Sequence, residues 1–123
     1  MVQTEVRAAR PEDKDIVLAF CTHTWDWGDY IERVWDECLV DSHGELFVAV
    51  TDGRPTGVAH LRMINATDAW LEGLRVDPTY RQQGIAKALN MAMLEGALRR
   101  GATNARLVTE STNAGAIHLM DTI

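Results

Sequence analysis

The chain predicts an α/β fold in the α+β sense, with a mixed central sheet and helices on both of its faces. Three observations carry that prediction. A group of extended segments with turn chemistry between them occupies the middle of the chain, from Leu46 to Val76. A long amphipathic helix, Ile85–Arg100, separates the last of these from another extended segment, Asn104–Thr109. Two further helical segments lie between the first strand and that group. A strand–helix–strand unit crosses over with right-handed sense and makes its two strands parallel. The segments joined by short turns pair antiparallel.

Each element has local reasons. Residues 4–8 read as a short strand. Pro11 sits where a first helical turn accepts it, with Glu12 and Asp13 at the positive end of the helix dipole. Ile16, Val17 and Phe20 continue that helix on one face. Cys21 to Gly28 reads as a connection, and Asp29-x-x-Glu32 as a capping box for a second helix carrying Ile31, Val34, Trp35 and Cys38. Asp41-Ser-His-Gly44 ends it. Leu46–Thr51 and Thr56–Ile64 form a hairpin around a turn at Asp52-Gly53-Arg54-Pro55. Asn65–Asp68 is the next turn, and Ala69–Val76 the next strand. The long helix presents Ile85, Leu89, Ala92, Met93 and Ala97 on one side. Gly101 is its expected C-cap, after Arg99 and Arg100 at the negative end of the dipole. A last helix is expected over Asn113–Thr122.

With 123 residues the chain has the size of one domain, 1–123. Apolar residues are 46% and charged residues 24%, the balance of a soluble globular protein. A formal net charge of -6 argues against a nucleic-acid partner. No apolar run reaches membrane-spanning length, and Met1 to Asp15 is too charged for a signal peptide, so no membrane partner and a cytoplasmic location are expected. Cys21 and Cys38 have no metal-type spacing and read as half-buried thiols on helices. His23, His43, His60 and His118 show no ligand spacing either, and no metal is expected.

The segment from Trp70 to Ala86 carries the chemistry. A strand ends at Asp77-Pro78, a polar turn follows, and Arg81-x-x-Gly84-x-Ala86 opens a helix. Unpaired N–H groups at a helix N-terminus, with the dipole behind them, favour a phosphate. Gly84 allows close backbone approach, and Arg81 adds a planar cation. A phosphorylated cofactor is the expected ligand.

The pattern resembles the GNAT superfamily of acyl-coenzyme A-dependent N-acyltransferases. The matching residues are Leu74-x-Val76-x-Pro78, Arg81-x-x-Gly84-x-Ala86 and Asn113-x-x-Ala116-x-x-Leu119, and the element order fits along nearly the whole chain. The resemblance implies acetyl-coenzyme A as co-substrate. Its binding set would be Leu74, Val76, Arg81, Gln82, Gln83, Gly84, Ile85, Ala86 and Lys87, with Gln82 where the family often has glycine. Asn113 would reach the pantetheine arm or act as a plain helix N-cap. The backbone N–H of Leu74 would donate to the oxyanion, freed from the ladder by a bulge. Leu-Glu-Gly-Leu around Glu72 resembles aminoglycoside acetyltransferases of the family, where that glutamate serves the acceptor amine. Glu72 is therefore the candidate base; its alternative is a pairing with Arg62 or Arg75 on a strand face. Trp25, Asp26, Trp27 and Tyr30 lie in the region that borders the acceptor pocket in the family, or else form a packed cover on the sheet.

The chain departs from the family pattern twice. Met120 stands where a tyrosine commonly protonates the departing thiolate, and the chain stops at Ile123 before the family's last two strands. The domain is thus expected to be C-terminally incomplete, or its sheet to be completed by a second copy in a homodimer. The functional expectation is acetyl transfer to a primary amine of a small molecule or peptide. The alternative is a non-catalytic module that binds or senses coenzyme A.

Overall fold

The computed structural model describes residues 4–21, 31–80 and 83–107. Their elements are β1 (Thr4–Ala8), α1 (Lys14–Cys21), α2 (Ile31–Val40), β2 (Gly44–Thr51), β3 (Arg54–Met63), β4 (Asp68–Val76), α3 (Ile85–Arg99) and β5 (Asn104–Leu107). Short 3-10 turns cover Pro11–Asp13 and Pro78–Tyr80. The five strands form one sheet in the order β1-β2-β3-β4-β5. All neighbours are antiparallel except β4 and β5, which run parallel with Asp68 to Leu71 opposite Asn104 to Leu107. The mixed sheet and the crossover through α3 match the sequence expectation. Thr109 and the helix expected over Asn113–Thr122 fall outside the described residues, as does the cap at Asp29.

The alternation of β2 explains how one sheet serves two layers. Leu46, Val48 and Val50 join Val58 and pack against Val17 and Cys21 of α1 and Ile31 and Trp35 of α2. Phe47 and Ala49 face the other way, with Ala59, Leu61, Ala69 and Leu71, against Ile85, Leu89, Met93 and Ala97 of α3. Successive side chains on a strand point to opposite faces, so a strand apolar at every position is one buried on both sides. Cys21 is fully buried rather than half-buried, because it closes the α1 side of this layer.

Two boundaries differ from expectation for physical reasons. The turn between β2 and β3 needs only Asp52 and Gly53, at φ 51° and 84°. A two-residue turn with both central residues left-handed matches the twist of the flanking strands. Pro55 then lies inside β3, where the register slips opposite Ala49 and Val50 and the ladder spares it. The helix expected from Pro11 begins instead as a 3-10 turn, and α1 proper starts at Lys14. At the other end of the chain, Gly101 sits at φ 87° and Ala102 N–H bonds the Ala97 carbonyl at 2.9 Å, the expected glycine stop for α3.

Asp13 holds that 3-10 turn to the sheet. Its carboxylate accepts two bonds from the Arg7 guanidinium on β1, at 2.7 and 2.9 Å, and one from the Arg10 N–H at 2.8 Å. Burial alone would raise its carboxyl; these bonds outweigh burial and hold it below its usual range. Arg7→Leu should cost about 3 kcal/mol, the low end for an orphaned buried charge, because Arg10 N–H remains. A carboxyl depressed in the folded state stabilises above its unfolded value of about 3.9 and loses that contribution as pH falls through the folded value. Urea unfolding of both proteins checks this: the gap should be full at pH 7 and shrink in acid.

Candidate functional site

The site is built around an irregularity in β4. Gly57 pairs with Val76 and Val58 with Arg75, but His60 pairs with Glu72. Gly73 and Leu74 therefore stand together opposite Ala59. Gly73 takes φ 68°, a conformation open to a residue without Cβ. The extra residue of such a bulge leaves the ladder and turns the strand. Before the bulge Ala69 and Leu71 face α3; after it Leu74 and Val76 do. The parity of the strand changes at Gly73, and Glu72 is left on the opposite face.

Glu72 is half-buried and held at both oxygens. His60 Nδ1 lies 3.1 Å from Oε1, and the Trp70 indole N–H donates to Oε2 at 3.2 Å. The hydrogen bond from His60 lowers its carboxyl below the usual range, against burial, with Arg62 and Trp70 adding to the lowering. The partner is His60, not the Arg62 or Arg75 of the alternative reading. Arg62 stands opposite Trp70, two residues along the register, and acts on Glu72 only at a distance. The guanidinium of Arg75 bonds the Leu74 carbonyl at 3.0 Å.

His60 is 5% exposed. Its Nδ1 also lies 3.6 Å from Cys38 Sγ, and its Nε2 lies 3.8 Å from Asp41 Oδ2, beyond hydrogen-bond reach. Nε2 has no hydrogen-bond partner among the described residues. Burial alone would lower the imidazole; the hydrogen bonds with Cys38 and Glu72 outweigh it and raise its pKa to about 9. Ile31, Val34, Trp35, Cys38 and Leu46 wall a pocket whose floor is His60, Glu72 and Gly73.

The loop that follows β4 is anchored by Asp77. Its N–H bonds the Thr56 carbonyl at 2.8 Å, its own carbonyl accepts Tyr80 N–H at 2.8 Å, and its Oδ1 accepts Thr79 N–H at 3.0 Å. Gly84 then caps α3 at φ 79°, with no side-chain cap bond. Among the described residues a Cβ built there would meet nothing within 4 Å, so none of them closes the space beside this backbone. Ile85 is buried in the core, Ala86 is half-buried, and Gln83 and Lys87 are exposed. The first N–H groups of α3 have no acceptors within the helix. Donors without partners inside the helix and the dipole of a fifteen-residue helix fit a pyrophosphate.

The structure thus brings Glu72, Leu74 and Val76 together on β4, and Gln83, Gly84, Ile85, Ala86 and Lys87 at the start of α3. Arg81, Gln82, Asn113, Trp25, Asp26, Trp27 and Tyr30 lie outside the described residues. Sequence reasoning missed His60, Trp70 and Cys38. Spacing along the chain hides His60, but folding the β3–β4 hairpin about its turn reveals it. His60 and Glu72 are equally far from Ala66 and so fall opposite each other. Among the described residues no group of three or more His, Cys, Asp or Glu is placed to hold a metal ion, and no helix is long and apolar enough to cross a membrane.

The sequence profile of the acetyltransferase (GNAT) family matches residues 14–122. The chain belongs to that family. No curated protein sequence matches it significantly. Among solved structures it is similar to a transcriptional regulator from Bacillus halodurans, with 20% identity, a TM-score of 0.84, and 98% of this chain and 91% of that one covered. It is also similar to the aminoglycoside acetyltransferase AAC(6')-Iy in complex with a bisubstrate analog of coenzyme A and acetylneamine (22%, TM-score 0.79, 98% and 88% covered). A ribosomal-protein alanine N-acetyltransferase from Escherichia coli aligns at 20% identity and TM-score 0.81, with 98% and 76% covered. At these identities the structural likeness establishes a shared fold alone.

The raised pKa of His60 ties the site to stability. An unfolded histidine titrates at about 6.5. A folded value of about 9 means that folding takes up a proton between those values. The stabilisation is complete below about pH 6.5 and is lost as pH rises through about 9. Chemical unfolding from pH 6 to 10 should show this decline, and His60→Gln should remove that part of the slope.

Proposed function

We propose that this GNAT protein transfers an acetyl group from acetyl-coenzyme A to a primary amine of a small molecule or peptide. The observation that carries the reading is the bulge at Gly73 and Leu74, which sets an ionised, half-exposed carboxylate beside a pocket and one short loop away from an open helix N-terminus.

Acetyl-coenzyme A, when bound, would supply the thioester carbon that the amine attacks; the new C–N bond replaces the C–S bond, and coenzyme A leaves as a thiolate that takes a proton from solvent. Gly84, Ile85, Ala86 and Lys87 hold its pyrophosphate through backbone N–H groups, with Gln83, Arg81 and Gln82 flanking. Leu74 and Val76 line the arm that leads to the thioester, and Asn113 contributes to the same arm. The N–H of Leu74 donates to the carbonyl oxygen as it gains charge; a preorganised donor of this kind contributes about 3 kcal/mol. Glu72 accepts a hydrogen bond from the acceptor nitrogen and draws its proton away, since an ammonium with pKa of about 10.4 has no lone pair to attack with. Trp25, Asp26, Trp27 and Tyr30 complete the acceptor side. The net charge of -6 supports a cationic acceptor. The neighbours named for aminoglycoside and ribosomal-protein substrates act on amines of both sizes.

The test joins turnover to binding. The protein should release coenzyme A thiol from acetyl-coenzyme A in the presence of neamine or 1,4-diaminobutane, and calorimetry should detect coenzyme A binding. Gly84→Glu should abolish that binding while the fold survives. A Cβ there meets none of the described residues, and the left-handed φ costs about 1–2 kcal/mol. Unchanged affinity in the folded variant would remove the loop from the site. Binding without transfer to any amine would leave the protein a coenzyme A sensor.

A further inference from the structure

The pocket floor contains a group that the transfer reaction does not by itself require. His60 is almost fully buried, and its Nε2 has no hydrogen-bond partner among the described residues. An unpartnered buried nitrogen is costly, and a packing role alone would be met by an apolar side chain. What distinguishes His60 is its place directly opposite Glu72 in the β3–β4 pair.

We propose that His60 is a positioning residue for Glu72: its Nδ1–H and the indole N–H of Trp70 clamp the two carboxylate oxygens, and the clamped carboxylate receives a primary amine of the acceptor. This rests on the reading of Glu72 as the carboxylate that meets the acceptor. Nδ1 and Oε1 are 3.1 Å apart, and both present lone pairs unless one is protonated. The contact therefore requires one proton between them. Glu72 is held below the usual carboxyl range, so the proton resides on Nδ1. That is true of the imidazolium and equally of the neutral tautomer that keeps Nδ1–H, so the clamp does not depend on the charge of the ring.

The other groups around the ring do not provide this service. Cys38 Sγ from α2 approaches the same nitrogen at 3.6 Å. Asp41 Oδ2, just after α2, faces Nε2 from 3.8 Å, and Arg62 on β3 acts on Glu72 at longer range. A carboxylate offers about four acceptor sites. The clamp occupies one on each oxygen and fixes the carboxylate plane, and one remains open on each. Those two sites match a nitrogen with at least two N–H donors, which a primary amine has in either protonation state and a tertiary amine lacks.

The clamp separates two variants that would look alike if His60 only filled space. An asparagine places its amide N–H near the position of Nδ1, and a glutamine near that of Nε2. With acetyl-coenzyme A and 1,4-diaminobutane, His60→Asn should keep most of kcat/KM. His60→Gln should lose about ten- to a hundredfold, the range for a residue that orients a reacting group. Wild-type kcat/KM in His60→Gln beside an impaired Glu72→Gln would overturn the clamp and leave the reading of Glu72 intact. Full activity in Glu72→Gln would overturn that reading, and the clamp's role with it. A second measurement needs no acceptor. NMR titration of the ring nitrogens should show the His60 pKa falling in Glu72→Gln toward its ordinary value of about 6.5. An unchanged titration would show that the two side chains are not paired and overturn the proposal directly.

Discussion

Strand β4 has to keep apolar residues against α3 along its whole length, and it does so with its phase broken at one point. Ala69 and Leu71 supply that face before Gly73, and Leu74 and Val76 supply it afterwards. Only an inserted residue makes the change of phase possible, and the left-handed φ of 68° at Gly73 is how the chain accommodates it. The rest of the site follows from this constraint. Glu72 is the last side chain on the α2 face before the break, opposite His60. The described pairing with β5 ends at Leu71, just before the bulge. Beyond the bulge the strand delivers the chain to Asp77 and thence to Gly84.

Burial and pairing compete in the polar cluster, and pairing wins at each group. Burial works against the charged form of both His60 and Glu72. Their mutual hydrogen bond, with Cys38, Trp70 and Arg62 adding to one side or the other, raises the imidazole and lowers the carboxyl. Arg7 and Asp13 show the same balance at the far edge of the sheet. The physics of the two pairs is alike. What sets the His60–Glu72 pair apart is its place: it floors an apolar pocket and adjoins the broken ladder at Gly73.

Much of this was legible in the sequence. The Asp52-Gly53 turn, the Gly101 stop and the α3 stripe are local signals, and they place β2, β3, α3 and the parallel β5 without reference to anything distant. The resemblance in Leu74-x-Val76-x-Pro78 and Arg81-x-x-Gly84-x-Ala86 carried the family, the bulge and the candidacy of Glu72. What stayed hidden was cross-strand. Whether Glu72 meets an arginine or a histidine depends on register, and register depends on which residues the Asn65–Asp68 turn consumes. A shift of one residue would have put the neighbour of His60 opposite Glu72 and turned the imidazole to the α3 side. The 3-10 start before α1 was hidden for a related reason, since the Arg7 guanidinium that fixes Asp13 comes from β1.

On the proposed reading, the cofactor meets both the bulge in β4 and the start of α3. Amide NMR during titration with acetyl-coenzyme A tests it most directly, because it reads backbone N–H groups one by one. The amides of Leu74, Val76 and Gly84 to Lys87 should shift together on a single binding curve. Shifts at Gly84 to Lys87 with Leu74 unmoved would contradict it, because the phosphate loop would then bind without the bulge taking part.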